Sequence, residues 1–263
     1  MNFAVIGDPI SHTMSPLIHR ANFRALQLDA DYQALHVTPD HLSVIRDTAI
    51  ENELSGFNVT VPHKENIMKY LDEVDVNVKQ IGAVNTVHIK DGKYIGHNTD
   101  VSGYKSAYLD AFKDRRRKIL ILGAGGAAKA VHRAHSDLGD EVYIYARRKE
   151  SFESFIIDDF TPVSSVENLN YDVIINATPV GLKDEDLFEV LNLDAALVND
   201  KMIGIDLIYN PEKTKFLTYF NQKNTMNGLP MLVYQAMHAF KIWTGIDGDY
   251  QAVNKALKSH LGG

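Results

Sequence analysis

Residues 118–128 read KILILGAGGAA, an apolar run that leads directly into a glycine-rich turn. Residues 129–138 continue with a helical pattern, so the stretch predicts a strand, a tight turn and a helix in succession. Gly123 permits the sharp turn, Gly125 lets the backbone approach a pyrophosphate, and the helix N-terminus offers unpaired N–H groups. The pattern predicts a dinucleotide-phosphate cradle, and its alternative is a glycine turn that only packs a helix on a sheet.

The next predicted strand, residues 141–145, ends in Ala146-Arg147-Arg148. Proteins that bind NAD usually place an acidic residue here, where it accepts a hydrogen bond from the ribose 2′-hydroxyl. Two arginines suit a 2′-phosphate instead, because a guanidinium pairs well with phosphate oxygens. The pattern therefore favours NADP as the cofactor.

Composition excludes several classes of protein. The chain has 263 residues, of which 45% are hydrophobic, and this is enough for two domain cores. It contains no cysteine, so neither a disulfide framework nor a cysteine nucleophile is available. A net charge of -7 argues against nucleic acid or an anionic membrane as the main partner. No apolar run approaches the roughly 20 residues of a membrane span, and the N-terminus reads as a strand, so we expect a cytoplasmic protein.

Two kinds of sheet are predicted. In the first third of the chain, strand and helix signals alternate, with Ser15 as a helix N-cap before Pro16 and a hairpin turn at Asp91-Gly92. This indicates an α/β domain with a mixed sheet. Between residues 119 and 206, further strand signals alternate with helices or loops, which is typical of a doubly wound parallel sheet, the Rossmann fold.

The chain ends in two predicted helices, residues 230–243 and 250–261. We expect the last helix to return to the first domain. The prediction is a substrate-binding and catalytic domain of residues 1–101 completed by residues 236–263, and an NADP-binding domain of residues 102–235. Ligand would then bind in the cleft between the domains, which we expect to hold the active site.

Polar stretches follow three predicted strands, where active sites of α/β proteins gather. Lys64 ends one of them and Asp100 ends another. A lysine can donate a proton to a carbonyl oxygen as a hydride reaches the carbon, and an aspartate can orient it. Surface charge is the alternative for Lys64, because spacing alone does not show that the two side chains meet.

The third polar stretch, residues 11–16, carries three hydroxyl groups. They suit a small hydroxylated or carboxylate ligand, or they only cap the following helix. His12, His63 and His97 lack the spacing of metal ligands, so we expect no metal site.

Taken together, these segments closely resemble the shikimate dehydrogenase family over residues 3–235. The resemblance rests on motifs in the order that the family shows. They are SHTMSP (11–16), NVTVPHK (58–64), GAVNT (82–86), GHNTDVSG (96–103), the glycine turn, NATPVG (176–181), DLIYNP (206–211), GLPML (228–232) and Gln235-Ala236.

This resemblance implies a reversible reduction of 3-dehydroshikimate to shikimate by NADPH, in the biosynthesis of chorismate and the aromatic amino acids. Lys64 and Asp100 would be the catalytic pair. The substrate pocket would be lined by Thr13, Ser15, Thr60, Lys64, Asn85, Asp100, Tyr209 and Gln235. The NADP site would comprise Gly123, Ala124, Gly125, Gly126, Ala127, Ala146, Arg147, Arg148, Thr178, Leu207 and Gly228.

Two further interpretations stay open. One is a quinate/shikimate dehydrogenase of broader specificity, since nothing in the sequence excludes quinate. The other is a dinucleotide-binding regulatory module without turnover, although such a module has no need of a proton-transfer pair. Without the resemblance, Tyr209 and Gln235 read as ordinary loop and helix residues. The expected partner is a small-molecule substrate, and the protein is a monomer or a homodimer.

Overall fold

Two six-stranded sheets organise the part of the chain that the computed structural model describes, residues 1–113, 116–147, 152, 161–163, 166 and 170–261. Each sheet belongs to one of two units. Unit 1 comprises Met1–Gly103 and Val233–Gly263, and unit 2 comprises Tyr104–Leu232. One sheet is mixed and the other is entirely parallel, so the predicted fold class is confirmed.

The elements follow in chain order. The first part contains β1 (Asn2–Gly7), α1 (Ser15–Ala25), β2 (Asp31–His36), α2 (Ile45–Glu51), β3 (Leu54–Val59), β4 (Glu73–Val74), α3 (Val76–Ile81), β5 (Thr86–Lys90) and β6 (Lys93–His97). The middle contains α4 (Asp100–Ala111), β7 (Lys118–Leu122), α5 (Gly126–Asp137), β8 (Glu141–Tyr145), β9 (Thr161–Val163), β10 (Val173–Asn176), α6 (Leu187–Leu191), β11 (Ile203–Asp206), α7 (Lys215–Thr218) and β12 (Thr225–Met226). The chain closes with α8 (Leu229–Thr244) and α9 (Tyr250–Leu261).

The sheet of unit 1 has the strand order β2-β1-β3-β5-β6-β4. Strands β1, β2 and β3 run parallel, whereas β5 is antiparallel to both β3 and β6. The predicted Asp91-Gly92 turn joins β5 to β6, with φ of 51° and 76° at its two residues. Positive φ at both positions is what a two-residue hairpin turn of this kind requires, so the hairpin is confirmed.

The sheet of unit 2 has the order β12-β11-β10-β7-β8-β9. Its central strand β7 is fully buried from Ile119 to Leu122. A parallel strand covered on both faces reads as a continuous apolar run, which explains the sequence ILIL. The order of connections reverses beside β7, and a parallel sheet binds its ligand outside such a reversal point.

The terminal helices belong to the core of unit 1. Trp243 of α8 stacks on Phe3 of β1 with ring centroids 4.7 Å apart, and its Nε1 donates to the Val87 carbonyl at 2.9 Å. Helix α9 packs against α1. The last helices of the chain therefore cover a sheet built from its first strands.

The start of α1 differs from the prediction. Met14, and not Ser15, occupies the N-cap, and Ser15 is the first helical residue. The Thr13 Oγ1 atom accepts from the Ser15 N–H, the first N–H of the helix, at 3.3 Å.

Among the described residues, no helix combines the length and apolar character that crossing a membrane requires.

The buried imidazole of His19 predicts how stability depends on pH. Burial lowers the pKa of His19 from 6.5 to about 3, an effect that the Asn58 side chain partly offsets. Between these pH values the His19 imidazole is protonated in the unfolded chain but not in the folded chain. The free energy of unfolding should therefore fall as pH drops below 6.5, by about 1.4 kcal/mol per pH unit from this residue, and level off near pH 3.

Urea unfolding at several pH values measures this slope. His19→Phe should reduce the slope by that amount, because the phenyl ring keeps the packing and does not titrate. His260→Gln, at an exposed position in α9, should leave the slope unchanged. An unchanged slope in His19→Phe would contradict the prediction.

Candidate active site

Several polar side chains of unit 1 lie together at one edge of the mixed sheet. Strands β1, β3 and β6 run in the same direction, so their carboxyl ends lie at this edge. Strand β5 runs the opposite way and therefore begins there. Lys64 follows β3, Asp100 follows β6, and Asn85 immediately precedes β5. Sheet topology thus brings together three residues that are far apart in the sequence.

Lys64 and Asp100 form an ion pair at this edge. Lys64 Nζ lies 2.5 Å from Asp100 Oδ2, and the two side chains are 20% and 8% exposed. Burial of this degree excludes most water from the carboxylate while it leaves part of the ammonium group accessible. The pair can therefore hold a proton at Nζ in a fixed place, beside a surface that a ligand can reach.

Asn85 holds the other oxygen of the carboxylate. Its Nδ2 donates to Asp100 Oδ1 at 2.9 Å and also lies 3.4 Å from Gln235 Oε1. Its Oδ1 accepts from the Thr99 N–H at 2.7 Å. Thr99 was not singled out from the sequence, although it stands within the GHNTDVSG motif beside Asp100. One buried amide therefore holds both Thr99 and Asp100 where the chain enters α4.

Gln235 reaches this cluster because two helices approach closely. A methyl group on Gly103 of α4 would lie 2.6 Å from the backbone nitrogen of Gln235 in α8. Glycine at this position lets the helix backbones meet, which brings the glutamine side chain to Asn85. Gln235 is itself 9% exposed.

The hydroxyl groups of the loop after β1 form a second cluster at the same edge. Thr13 Oγ1 donates to Ser15 Oγ at 3.2 Å, and Ser15 is 7% exposed. The loop lies beside the end of β3, where the Asp8 N–H donates to the Val61 carbonyl at 3.0 Å. Thr60 approaches Gly7 so closely that a methyl group on that glycine would lie 2.5 Å from Thr60 Cγ2.

The histidines near these loops serve different purposes. His63 is buried, and its Nε2 bonds to the Val37 carbonyl at 2.6 Å, which anchors the turn just before Lys64. His97 Nδ1 pairs with Asp75 Oδ2 at 3.1 Å, and His12 is exposed. Across the described ranges, no group of three or more His, Asp or Glu side chains is placed to hold a metal ion.

The glycine turn of unit 2 has the backbone that its sequence predicts. Gly123 has a φ of 112°, which side chains rarely tolerate, and its backbone turns directly after β7. Gly125 is the N-cap of α5, and apart from its own backbone and its two chain neighbours no atom of the described chain lies within 4 Å of the place where its Cβ would stand. Packing within the protein therefore explains Gly123 but not Gly125. An open approach to the N–H groups of Gly126 and Ala127 does explain it.

A buried network organises the neighbouring loops. Asn176 Oδ1 accepts from the Thr178 N–H at 3.0 Å and the Thr178 hydroxyl at 2.8 Å. Asn176 Nδ2 donates to Asp206 Oδ1 at 3.0 Å. Burial raises the pKa of Asp206, an effect that the Thr214 hydroxyl and the Ile208 N–H partly offset. Asn176 and Asp206 thus fix the loops that carry Thr178 and Leu207, and neither residue was singled out from the sequence.

The other predicted residues that the structure describes lie in unit 2. Arg147 is exposed after β8, Ala146 is half-buried, and Arg148 lies outside the described residues. The Gly228 N–H donates to the Ile208 carbonyl at 3.0 Å, which places Gly228 beside the loop of Leu207. Tyr209 belongs to that same loop, in unit 2, and burial raises its pKa. The contacts that join the other predicted pocket residues lie within unit 1.

Known proteins share both the sequence and the fold. A family model described as the shikimate dehydrogenase substrate binding domain matches residues 5–87, and one described as the shikimate 5′-dehydrogenase C-terminal domain matches residues 228–258. A shikimate dehydrogenase (NADP(+)) of Staphylococcus aureus (strain bovine RF122 / ET3-1) is 41% identical over 271 residues, covering 100% of both chains.

The chain belongs to the shikimate dehydrogenase family. Solved shikimate dehydrogenases share its fold: the protein from Aquifex aeolicus has a TM-score of 0.89 and 35% identity, covering 98% of this chain and 97% of that chain. The protein from Thermus thermophilus, in complex with NADP(H) and shikimate, has a TM-score of 0.87 and 33% identity, covering 98% and 99%. The family resemblance drawn from the sequence is thereby confirmed.

The Asn85 amide predicts a measurable loss of stability. Asn85→Ala removes a donor from the buried Asp100 carboxylate and an acceptor from the Thr99 N–H. Each unsatisfied buried group costs about 1–3 kcal/mol, so the free energy of unfolding should fall by at least about 2 kcal/mol. Urea unfolding measures the change. The exposed Asn66→Ala should change it by less than about 0.5 kcal/mol, and equal effects in the two variants would contradict the prediction.

The two glycines of the turn predict opposite outcomes. Gly125→Thr places a side chain in open space and keeps an N-cap residue, so stability should stay near that of the wild type. Its affinity for NADP should fall at least about 10-fold, because the side chain blocks the approach of the pyrophosphate. Gly123→Thr should destabilise the fold as well, since its φ is 112° and Thr178 Cγ2 would lie 2.9 Å away.

Calorimetric titration with NADP and thermal unfolding of both variants measure these two effects separately. If Gly125→Thr bound NADP as tightly as the wild type, the prediction that Gly125 belongs to the cofactor site would be contradicted.

Proposed function

We propose that this member of the family catalyses the reversible reduction of 3-dehydroshikimate to shikimate by NADPH. The observation that carries the proposal is the Lys64–Asp100 pair, with 2.5 Å between Nζ and Oδ2, fixed by Asn85 at one sheet edge. A proton donor held in this way suits a carbonyl reduction. The names of the relatives support the choice of shikimate and NADP.

In this proposal Lys64 manages the proton. As negative charge develops on the carbonyl oxygen of the substrate, the Lys64 ammonium group stabilises it and then transfers a proton to it. Asp100 accepts a hydrogen bond from Nζ throughout, so the ammonium group keeps its orientation. In the reverse direction Lys64 takes the proton from the hydroxyl group of shikimate.

The hydroxylated substrate calls for many polar contacts. We propose that Thr13, Ser15 and Thr60 bind it from the loops after β1 and β3, and that Asn85 and Gln235 bind it from their places beside Asp100. Tyr209 would contribute from unit 2.

The chain also has the parts that NADP requires. Gly123 turns the backbone, Gly125 stands in open space, and the N-terminus of α5 presents N–H groups for the pyrophosphate. Ala146, Arg147 and Arg148 would hold the 2′-phosphate, and Ala124, Gly126, Ala127, Thr178, Leu207 and Gly228 would complete the site. When bound, NADPH supplies the hydride.

A spectrophotometric assay that crosses shikimate and quinate with NADP and NAD tests the proposal. We expect the highest kcat/KM for shikimate with NADP. Comparable turnover of quinate would support the broader dehydrogenase instead. Binding of dinucleotide without turnover of either substrate would indicate the regulatory module.

Removal of the proton donor should affect turnover more than binding. Lys64→Ala should lower kcat about 10²–10⁴-fold, the usual range for a general acid–base group, with a much smaller change in KM. Lys93→Ala is the matched control, because it removes an exposed ion-paired lysine of the same unit, whose Nζ lies 2.7 Å from Glu73 Oε1. Normal kcat with a raised KM in Lys64→Ala would make Lys64 a binding residue only.

Loss of Arg147 should affect NADP and spare NAD. A charge-assisted hydrogen bond contributes about 1.5–3 kcal/mol, so Arg147→Ala should lose roughly 10- to 150-fold in kcat/KM with NADP. The low efficiency with NAD should barely change, and Arg148→Ala should show the smaller effect. Lys118→Ala, at the opposite end of β7 from the glycine turn, is the control. If neither arginine variant changed the ratio of kcat/KM with NADP to kcat/KM with NAD, the assignment of these arginines to the 2′-phosphate would be contradicted.

A further inference from the structure

A line of buried hydrogen bonds reaches Asp100 from a tyrosine that the proposed reaction does not use. Tyr32 of β2 is 0% exposed, and its hydroxyl donates to Asn58 Oδ1 at 2.6 Å. Asn58 Nδ2 donates to the Asn85 carbonyl at 3.1 Å and to Thr86 Oγ1 at 3.0 Å. The Asn85 side chain in turn donates to Asp100. Asn58 and Asn85 therefore stand between the Tyr32 hydroxyl and the carboxylate that holds Lys64.

The Tyr32 hydroxyl determines which way the Asn58 amide points. An asparagine amide has one acceptor end and one donor end, and the two are nearly equal in shape. Here the phenol donates to the oxygen, so the NH₂ group must face Asn85 and Thr86. Thr86 Oγ1 then donates to Asn85 Oδ1 at 3.0 Å. Asn58 thus holds Asn85 twice, at its backbone carbonyl and, through Thr86, at its side chain.

The ring of Tyr32 is itself firmly held. His19 stacks on it with ring centroids 4.3 Å apart and an interplanar angle of 11°. His19 is fully buried, and its lowered pKa of about 3 keeps the imidazole neutral at physiological pH. Burial raises the pKa of Tyr32 well above its usual range, and the Ser15 side chain partly offsets that rise, so the phenol stays protonated and able to donate.

We propose that Tyr32 is a positioning residue: its hydroxyl orients the Asn58 amide and thereby fixes Asn85 against the Asp100 carboxylate. The kinetic consequence rests on the proposed function, because it concerns the proton transfer at Lys64. The structural consequence, a looser Asn85 side chain when the hydroxyl is removed, does not depend on which reaction the protein catalyses.

Tyr32→Phe tests the proposal, since it removes one hydroxyl group and keeps the buried ring. We expect kcat with shikimate and NADP to fall about 10-fold, as misplacement of a reacting group does, while KM changes much less. Tyr104→Phe is the matched control. It also removes a hydroxyl group from a fully buried tyrosine. The Tyr104 hydroxyl oxygen lies 2.8 Å from His135 Nε2, in unit 2.

Both variants should lose similar stability, and Tyr104→Phe should keep its kcat. An unchanged kcat in Tyr32→Phe, or an equal fall in both variants, would overturn the proposal.

A double-mutant cycle tests whether Tyr32 acts through Asn58. In an Asn58→Ala background, Tyr32→Phe should lower kcat little further, because the amide that it orients is gone. If the factors by which Tyr32→Phe and Asn58→Ala each lower kcat multiply in the double variant, Tyr32 does not act through Asn58.

Hydrogen exchange of the Asn85 side-chain amide, followed by NMR, provides a measurement that is independent of turnover. Exchange should be faster in Tyr32→Phe than in the wild type, and unchanged in Tyr104→Phe. A wild type that does not oxidise shikimate would refute the proposed function, and faster exchange would still support the positioning role. Unchanged exchange in Tyr32→Phe would overturn that role even in an active enzyme.

Discussion

The carboxylate of Asp100 is the group on which the rest of this site depends. Its side chain is 8% exposed, and an ionised group removed from water in this way is costly unless it is paired and hydrogen-bonded. Lys64 satisfies one oxygen and Asn85 the other. Both partners must therefore be present at one sheet edge, and the mixed topology achieves this because β3 and β6 end where β5 begins. Strand β5, whose antiparallel direction makes this sheet mixed, thus places Asn85 at that edge.

Local features of the fold could be predicted from sequence, because they depend on neighbouring residues. The Asp91-Gly92 turn and the sharp turn at Gly123 follow from what glycine and its neighbours tolerate, and both appear as expected. The predicted N-cap of α1 was wrong by one residue, because Met14 occupies that position and Ser15 is the first helical residue. Such a choice is decided by three-dimensional geometry, which propensities do not contain.

The site could be predicted only in part, and the family motifs carried most of it. Spacing gave no sign that Lys64 meets Asp100, since 36 residues separate them and the contact depends on strand order. Tyr32, Asn58 and Asp206 were missed for a related reason. Each is a polar residue within a strand, and such residues read as ordinary solvent-facing positions until the burial of both faces is known. Arg148 carries a predicted role but lies outside the described residues, so that prediction stands as it was made.

The arrangement of the units along the chain has a consequence for biosynthesis. Unit 2 is one continuous span, whereas unit 1 needs residues from both ends of the chain. A ribosome therefore releases all of unit 2 before Trp243 and α9 are available to cover β1 and α1. Strand β1 is synthesised before unit 2 but is covered by helices that follow unit 2, so unit 1 is begun before unit 2 and completed after it. During that interval the apolar surface around Phe3 stays without its final cover, and this is the period in which a nascent chain is most exposed to aggregation and to chaperones.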